Sequence, residues 1–283
     1  MGNIKEKIDM LLHNPGLFFK RITSRTKNNL REIPHEGRVL FEIGNGVRFE
    51  ADYSMEHRQM ISDMVKLRYE IDATYAMEQY LKPGDVFVDV GANIGYMSAK
   101  ALSLVGTSGE VHSFEPVDKY FDLLSKIKIL NPSHKLFPNK IALGETVGKN
   151  SFYINQGGNF GSNSFIKEHD NIKEITVPIN TFDNYLENHD IAEKVSMIKI
   201  DSEGYEFFVI KGMKGFLDAG YRPVFIMEIT PKFYSMLGYK AIDIVKFLNG
   251  FGYYPYDLRT RKKLGKNFIL GLKKQVNMLF IAD

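Results

Sequence analysis

Short apolar runs recur through most of this chain, each stopped by a glycine turn or a carboxylate, and most are followed by a helical period. DVFVDV at 85–90 is too short for a helix and lacks the alternation of a half-exposed strand, so it predicts a strand buried on both faces. A helix near 94–104, a turn at Gly106–Gly109, a strand at 110–114 and a helix from Val117 to Leu130 follow. KLFPNKIAL (135–143) predicts the third strand. The rhythm breaks at 145–180, where NSFYIN and EITVPI predict short antiparallel strands around the loop GGNFGSNSF. It resumes with VSMIKID (195–201), a helix near 204–218, RPVFIMEI (222–229), a helix near 240–250, GYYPYDL (252–258) and the closing VNMLFIAD. No helix is predicted between the last two strands, so they should pair antiparallel at the sheet edge. Strand–helix–strand repeats predict an α/β fold with a parallel sheet and a ligand crevice beyond the strands' C-terminal ends.

The first 84 residues read as an extension to this unit, which occupies 85–283. Ile4, Ile8, Leu11 and Leu12 make one stripe of a short helix, suited to docking on the main domain or a second subunit, or to a membrane surface. VLFEIGNGVRFEA predicts a hairpin turning at Gly44-Asn45-Gly46, and 55–81 reads helical.

Composition narrows the function. The chain of 283 residues contains no cysteine, which excludes disulfides, thiolate zinc and a cysteine nucleophile and suits a reducing, cytoplasmic setting. No apolar run approaches the roughly 18 residues of a membrane span, and Asp9, His13, Asn14 and Pro15 interrupt the N-terminal stretch where a signal peptide would be apolar. The net charge of +3 hides one basic segment: Arg259, Arg261, Lys262, Lys263, Lys266, Lys273 and Lys274 lie in an interval free of acids. It suits an acidic glycan, a lipid-linked phosphate or peripheral contact with the inner membrane face.

The most readable chemistry is DVGANIGYM at 89–97 followed by VHSFEP at 111–116. A strand–glycine–helix turn lets backbone N–H groups approach a ligand, and Glu115 stands where a ribose diol needs two acceptors. Two cofactor classes compete. A dinucleotide would want G-x-G-x-x-G, whereas here Gly91 and Gly95 stand four apart with no third glycine. S-adenosylmethionine carries no phosphate, and its ammonium and sulfonium reward an acid such as Asp89. The terminal antiparallel hairpin also favours the second class.

DVGANIGYMS, FEP at 114–116, VPINTFD at 177–183, IKIDSEGYEFFVIKGM at 198–213 and the strand end Met227-Glu228, in this order, resemble the FkbM family of methyltransferases. The resemblance runs from about Glu70 to Ile229. It implies a class I S-adenosylmethionine-dependent fold, a Rossmann-like seven-stranded sheet with an antiparallel last strand, and O-methylation of hydroxyls on sugars or similar metabolites. Ser202 departs from the hydrophobic residue usual inside the family's D-x-E-G motif. An RNA methyltransferase and an NAD-dependent oxidoreductase are the alternatives; against the first, there is neither an Asn/Asp-Pro-Pro-aromatic motif nor a cysteine.

Methylating a hydroxyl needs a proton acceptor beside the methyl donor. Asp201, Glu203 and Glu228, at or just past adjacent strand ends, are the catalytic candidates; Asp201 and Glu228 could also hold a divalent cation. Asp89, Gly91, Asn93, Gly95 and Tyr96 are expected around the methionine end, Glu115 on the ribose, and Pro116, Asn139 and Ala142 near adenine, with Glu70 as a further contact. Asn159, Ser162, Asn163 and Ser164, in a loop able to act as a lid, are expected to bind the acceptor.

Overall fold

The computed structural model describes residues 12, 14, 15, 38–52, 63, 69–155, 163–167 and 171–283. The predicted N-terminal helix, most of 55–70 and the loop residues Asn159 and Ser162 lie outside them.

The predicted hairpin forms from β1 (Arg38–Gly44) and β2 (Val47–Asp52), with Asn45 and Gly46 at positive φ in the turn. Helix α1 (Ile71–Tyr80) leads into the repeating unit β3 (Val86–Val90), α2 (Tyr96–Val105), β4 (Glu110–Phe114), α3 (Asp118–Leu130) and β5 (Lys135–Asn139). After it come β6 (Ala142–Leu143), β7 (Gly148–Asn155), β8 (Ile172–Asn180) and α4 (Phe182–Leu186). The chain continues through β9 (Val195–Ile200), α5 (Glu206–Lys211), α6 (Lys214–Asp218), β10 (Val224–Ile229), α7 (Pro231–Met236) and α8 (Ala241–Asn249). It ends with β11 (Tyr253–Asp257), α9 (Lys266–Leu270) and β12 (Val276–Ala282).

Seven strands make the central sheet in the order β11-β12-β10-β9-β3-β4-β5. All run parallel except β12, which is antiparallel to both neighbours. Every residue of β3 is buried because layers cover both faces: Val86, Val88 and Val90 join the core on one side, while Phe87 joins the other. The hairpin shares this second core through Val47, Phe49 and Ala51. Asn131 ties it down, accepting from Arg48 N–H at 2.7 Å and donating to Arg48 O at 2.8 Å.

The structure corrects three expectations. The third strand does not run to 143: β5 stops at Asn139, whose amide donates to the carbonyls of Phe137 and Ser113, and the chain then leaves the sheet. β6 pairs instead with β8 in a separate three-stranded sheet, β6-β8-β7, built on the predicted β7–β8 antiparallel pair. The helix expected over 204–218 is two helices broken at Gly212, where an added Cβ would strike the carbonyl oxygen of Gly144. The basic connection between β11 and β12 contains a short helix, α9, and β12 inserts between β10 and β11, leaving β11 at the edge.

Candidate active site

A cavity of about 270 Å³ opens at the C-terminal ends of β3, β4, β9 and β10. Its wall includes Glu70, Gly91, Asn93, Tyr96, Glu115, Pro116, Ala142, Asn163, Asp201, Glu203 and Glu228, all expected at the site. Four other expected residues are not in the wall. Asp89 is wholly buried behind it, taking the Ser98 hydroxyl at 2.5 Å. Gly95 packs inside, at φ 87°, and an added Cβ would meet Ile127 and Leu124. The Asn139 side chain is turned to Ser113 O, Phe137 O and the Tyr185 hydroxyl. Ser164 is buried, accepting from Ile166 N–H at 2.9 Å and so closing the turn that carries Asn163.

The glycine turn is built by close approach of two strand ends. Gly91 has φ 76°, and a Cβ there would overlap the carbonyl oxygen of Asp201. Gly91 and Ala92 N–H both donate to Phe114 O, at 3.0 and 3.1 Å, which holds the turn against the end of β4. That placement lets Asn93 N–H reach Glu115 Oε2 at 2.9 Å, while Val117 N–H takes Oε1 at 2.9 Å. Glu115 is thus fixed by two backbone donors with acceptor capacity remaining on each oxygen. Burial pushes its carboxyl up to about 7, against the pull of those two donors.

Opposite Glu115 lie three acids. Asp201 follows β9, Glu203 sits two residues on at φ 49°, and Glu228 belongs to β10; one oxygen of each lies within 4.8 Å of the others. Lys199, buried on β9, donates to Asp201 Oδ2 at 2.7 Å. Burial opposes the ammonium charge, but Asp201, Asp89 and Glu70 outweigh it and hold its pKa above the usual lysine value. Glu228 is pushed well up by burial and then by the charges of Asp201 and Glu203. The Gln275 amide donates to Glu228 Oε1. Lys199 offsets part of the negative charge gathered in this cluster.

Sequence reasoning missed Lys199, Gln275 and Glu206. A lysine within VSMIKI, a run otherwise suited to a central strand, was a readable anomaly. Glu206 is fully buried and folds the acid-bearing loop: its Oε1 accepts from Ser202 N–H at 2.9 Å and Gly204 N–H at 3.1 Å. Gln275 reaches the site from the β11–β12 connection, which no local pattern signals. Phe152 and Phe165 also enter the wall, with Phe165 stacked on Tyr205 at 4.1 Å.

The methyltransferase FkbM domain family matches residues 89–255, the span from the acid behind the glycine turn to the edge strand. The chain belongs to the FkbM methyltransferase family. The sheet order and its one antiparallel strand are those of class I S-adenosylmethionine-dependent methyltransferases. The crevice residues fit that donor: Glu115 for a ribose diol, apolar Phe114, Pro116, Tyr120 and Leu143 for a base, and acids for a cationic end. The FkbM-family chain is 26% identical over 171 residues to the hexuronic acid methyltransferase AglP of Haloferax volcanii, covering 60% of this chain and 67% of that protein. Among solved structures, the methyltransferase FkbM of Methylobacillus flagellatus aligns at TM-score 0.41 and 12% identity, covering 78% of this chain. The chain spans about half of that structure, 52%. Aeropyrum pernix fibrillarin, solved with S-adenosylmethionine, aligns at TM-score 0.41 and 14% identity over 90% of this chain and 87% of its own. Family membership rests on the domain match. Among the described residues, no helix is long and apolar enough to cross a membrane.

Proposed function

We propose that this protein is an S-adenosylmethionine-dependent O-methyltransferase acting on a hydroxyl of a carbohydrate. The observation that carries the reading is the cluster of Asp201, Glu203 and Glu228 on one wall of the crevice that Glu115 closes from β4. When bound, the donor supplies a methyl group on a sulfonium, transferred in line to a nucleophile. Glu115 holds the ribose hydroxyls with its remaining lone pairs, and Tyr96, Asn93 and Glu70 line the methionine end.

Asp201 takes the acceptor's proton at Oδ1, because Lys199 occupies Oδ2. Glu228, held by Gln275, orients the acceptor hydroxyl as a hydrogen-bond partner. Phe165 and Phe152 offer apolar surface to the C–H faces of a sugar, and Asn163 offers an amide. The kinship with a protein named for hexuronic acid supports a sugar acceptor. Against the RNA alternative, two of the seven basic side chains of the C-terminal segment are paired within the fold: Arg259 with Asp72 at 2.7 Å and Lys263 with Asp283 at 3.5 Å.

The test is S-adenosylhomocysteine release across a panel of sugars, uronates and nucleotide sugars, each with and without chelator. Turnover on a neutral sugar hydroxyl supports the reading. Turnover only on RNA, or calorimetry with tight NAD binding and none of S-adenosylmethionine, overturns it.

A further inference from the structure

A second cavity, of about 350 Å³, lies away from the crevice and is lined by Asn14, Tyr75, Gln79, Tyr80, Tyr256, Arg261 and Ile281. Its one charged wall residue among the described residues is Arg261. Both terminal nitrogens of that side chain, Nη1 and Nη2, are buried, and neither has a hydrogen-bond partner among the described residues. A guanidinium keeps its charge at any physiological pH and brings five donors, so leaving two nitrogens buried and unpaired is costly. The ring of Tyr80, 5.3 Å from the guanidinium carbon, compensates only in part.

Among the described residues, three acids of the adjoining elements are engaged with other partners. Asp72 takes Arg259 at 2.7 Å, and Asp283 pairs with Lys263 at 3.5 Å. Asp257 Oδ1 caps its own turn, accepting from Thr260 N–H at 2.7 Å and Thr260 Oγ1 at 2.8 Å. The same turn holds Arg261 itself at φ 62°, a strained backbone for a side chain with a Cβ, through Arg261 N–H to Asp257 O at 2.9 Å. The fold thus holds a strained arginine with its charge unmatched beside a cavity rimmed by tyrosines and a glutamine.

We propose that this cavity is an oxyanion-binding site, in which Arg261 takes a carboxylate or phosphate group through its planar fork and the tyrosine and glutamine side chains supply further hydrogen bonds. Both ligand types present paired oxygens at the spacing a guanidinium matches. The site is separate from the methyl-transfer crevice and does not depend on its assignment. Helix α1 joins the two: Glu70, in the crevice wall, immediately precedes it, and Gln79 lies about 14 Å further along the axis at 1.5 Å per residue.

Thermal unfolding of the full chain titrated with inorganic pyrophosphate, glucuronate and, as a neutral control, glucose tests the site. A saturating anion should raise the wild-type midpoint by roughly 4 °C, with no response to glucose. Arg261→Gln should abolish that shift while its own ligand-free midpoint stays equal to or above wild type, because it removes an unpaired buried charge. Arg259→Gln should keep the shift. A response to pyrophosphate alone assigns the site to phosphate, and a response to glucuronate alone assigns it to carboxylate; either supports the proposal. The proposal is overturned if neither anion stabilises the wild type, if Arg261→Gln retains the shift, or if Arg261→Gln lowers the ligand-free midpoint or prevents folding, which would make the guanidinium a structural support.

Discussion

Asp201 is held on Oδ2 by Lys199, and in the proposed mechanism it takes the acceptor's proton, so a single substitution would separate chemistry from donor binding. Asp201→Asn should lower turnover by about 10²–10⁴-fold while calorimetry finds S-adenosylmethionine affinity little changed. Equal loss of both would place Asp201 in donor binding. Glu115 makes a pH prediction. Burial raises its folded pKa to about 7 from 4.5, so the folded state keeps a proton that the unfolded chain releases over that interval. The stabilisation is fully present below about pH 4.5 and is lost as pH rises through 7. Relative to Glu115→Gln, the wild type should lose on the order of 3 kcal/mol of unfolding free energy between those limits, measured by urea denaturation at each pH. The same variant should bind S-adenosylmethionine roughly 10–100-fold more weakly. At this scale Asp201, Glu203, Glu228 and Glu115 were legible because each ends, or closely follows, an apolar strand. Asp89 and Asn139 share such positions, yet their side chains are engaged by Ser98 and Tyr185, and register alone does not reveal which way a strand-end side chain turns.

Among elements, the glycine turn between β3 and α2 packs against the start of the loop that bears Asp201 and Glu203. Its approach to the Asp201 carbonyl oxygen leaves no room for a methyl group, and the obstructing atom is backbone. Gly91→Ala should therefore displace the loop bearing Asp201 and cost about 100-fold in kcat/KM, together with about 1–3 kcal/mol of stability. A loss of stability with unchanged turnover would show that the loop yields without moving the acid. The turn, the α/β rhythm and the terminal hairpin were readable from periodicity and glycine placement. The departure of β6 from the central sheet was not, since KLFPNKIAL reads as one strand until β8 offers Ala142 and Leu143 a second partner.

At the scale of the whole molecule, the N-terminal hairpin contributes Val47, Phe49 and Ala51 to the core on one face of the central sheet. Asn131, just past α3, makes the link with three hydrogen bonds, two to Arg48 and one to Ile127 O at 2.7 Å. Asn131→Ala should cost about 2 kcal/mol in denaturant unfolding, and the transition should stay single, because hairpin and sheet share one core. Two separate transitions would mean the hairpin folds as its own unit. Apolar runs, glycine turns and strand-end acids, all local properties of the chain, determined the class of fold and the edge that carries the crevice, while the reaction class came from the resemblance of the ordered motifs to the FkbM family. Tertiary structure alone decided which of those acids carries a lysine, which has its pKa raised by burial and which turns inward. These are matters of burial and of neighbours: parallel pairing brings residues 115, 201 and 228 from separate strand ends to one edge, and the start of α1 and of the antiparallel β12 add residues 70 and 275.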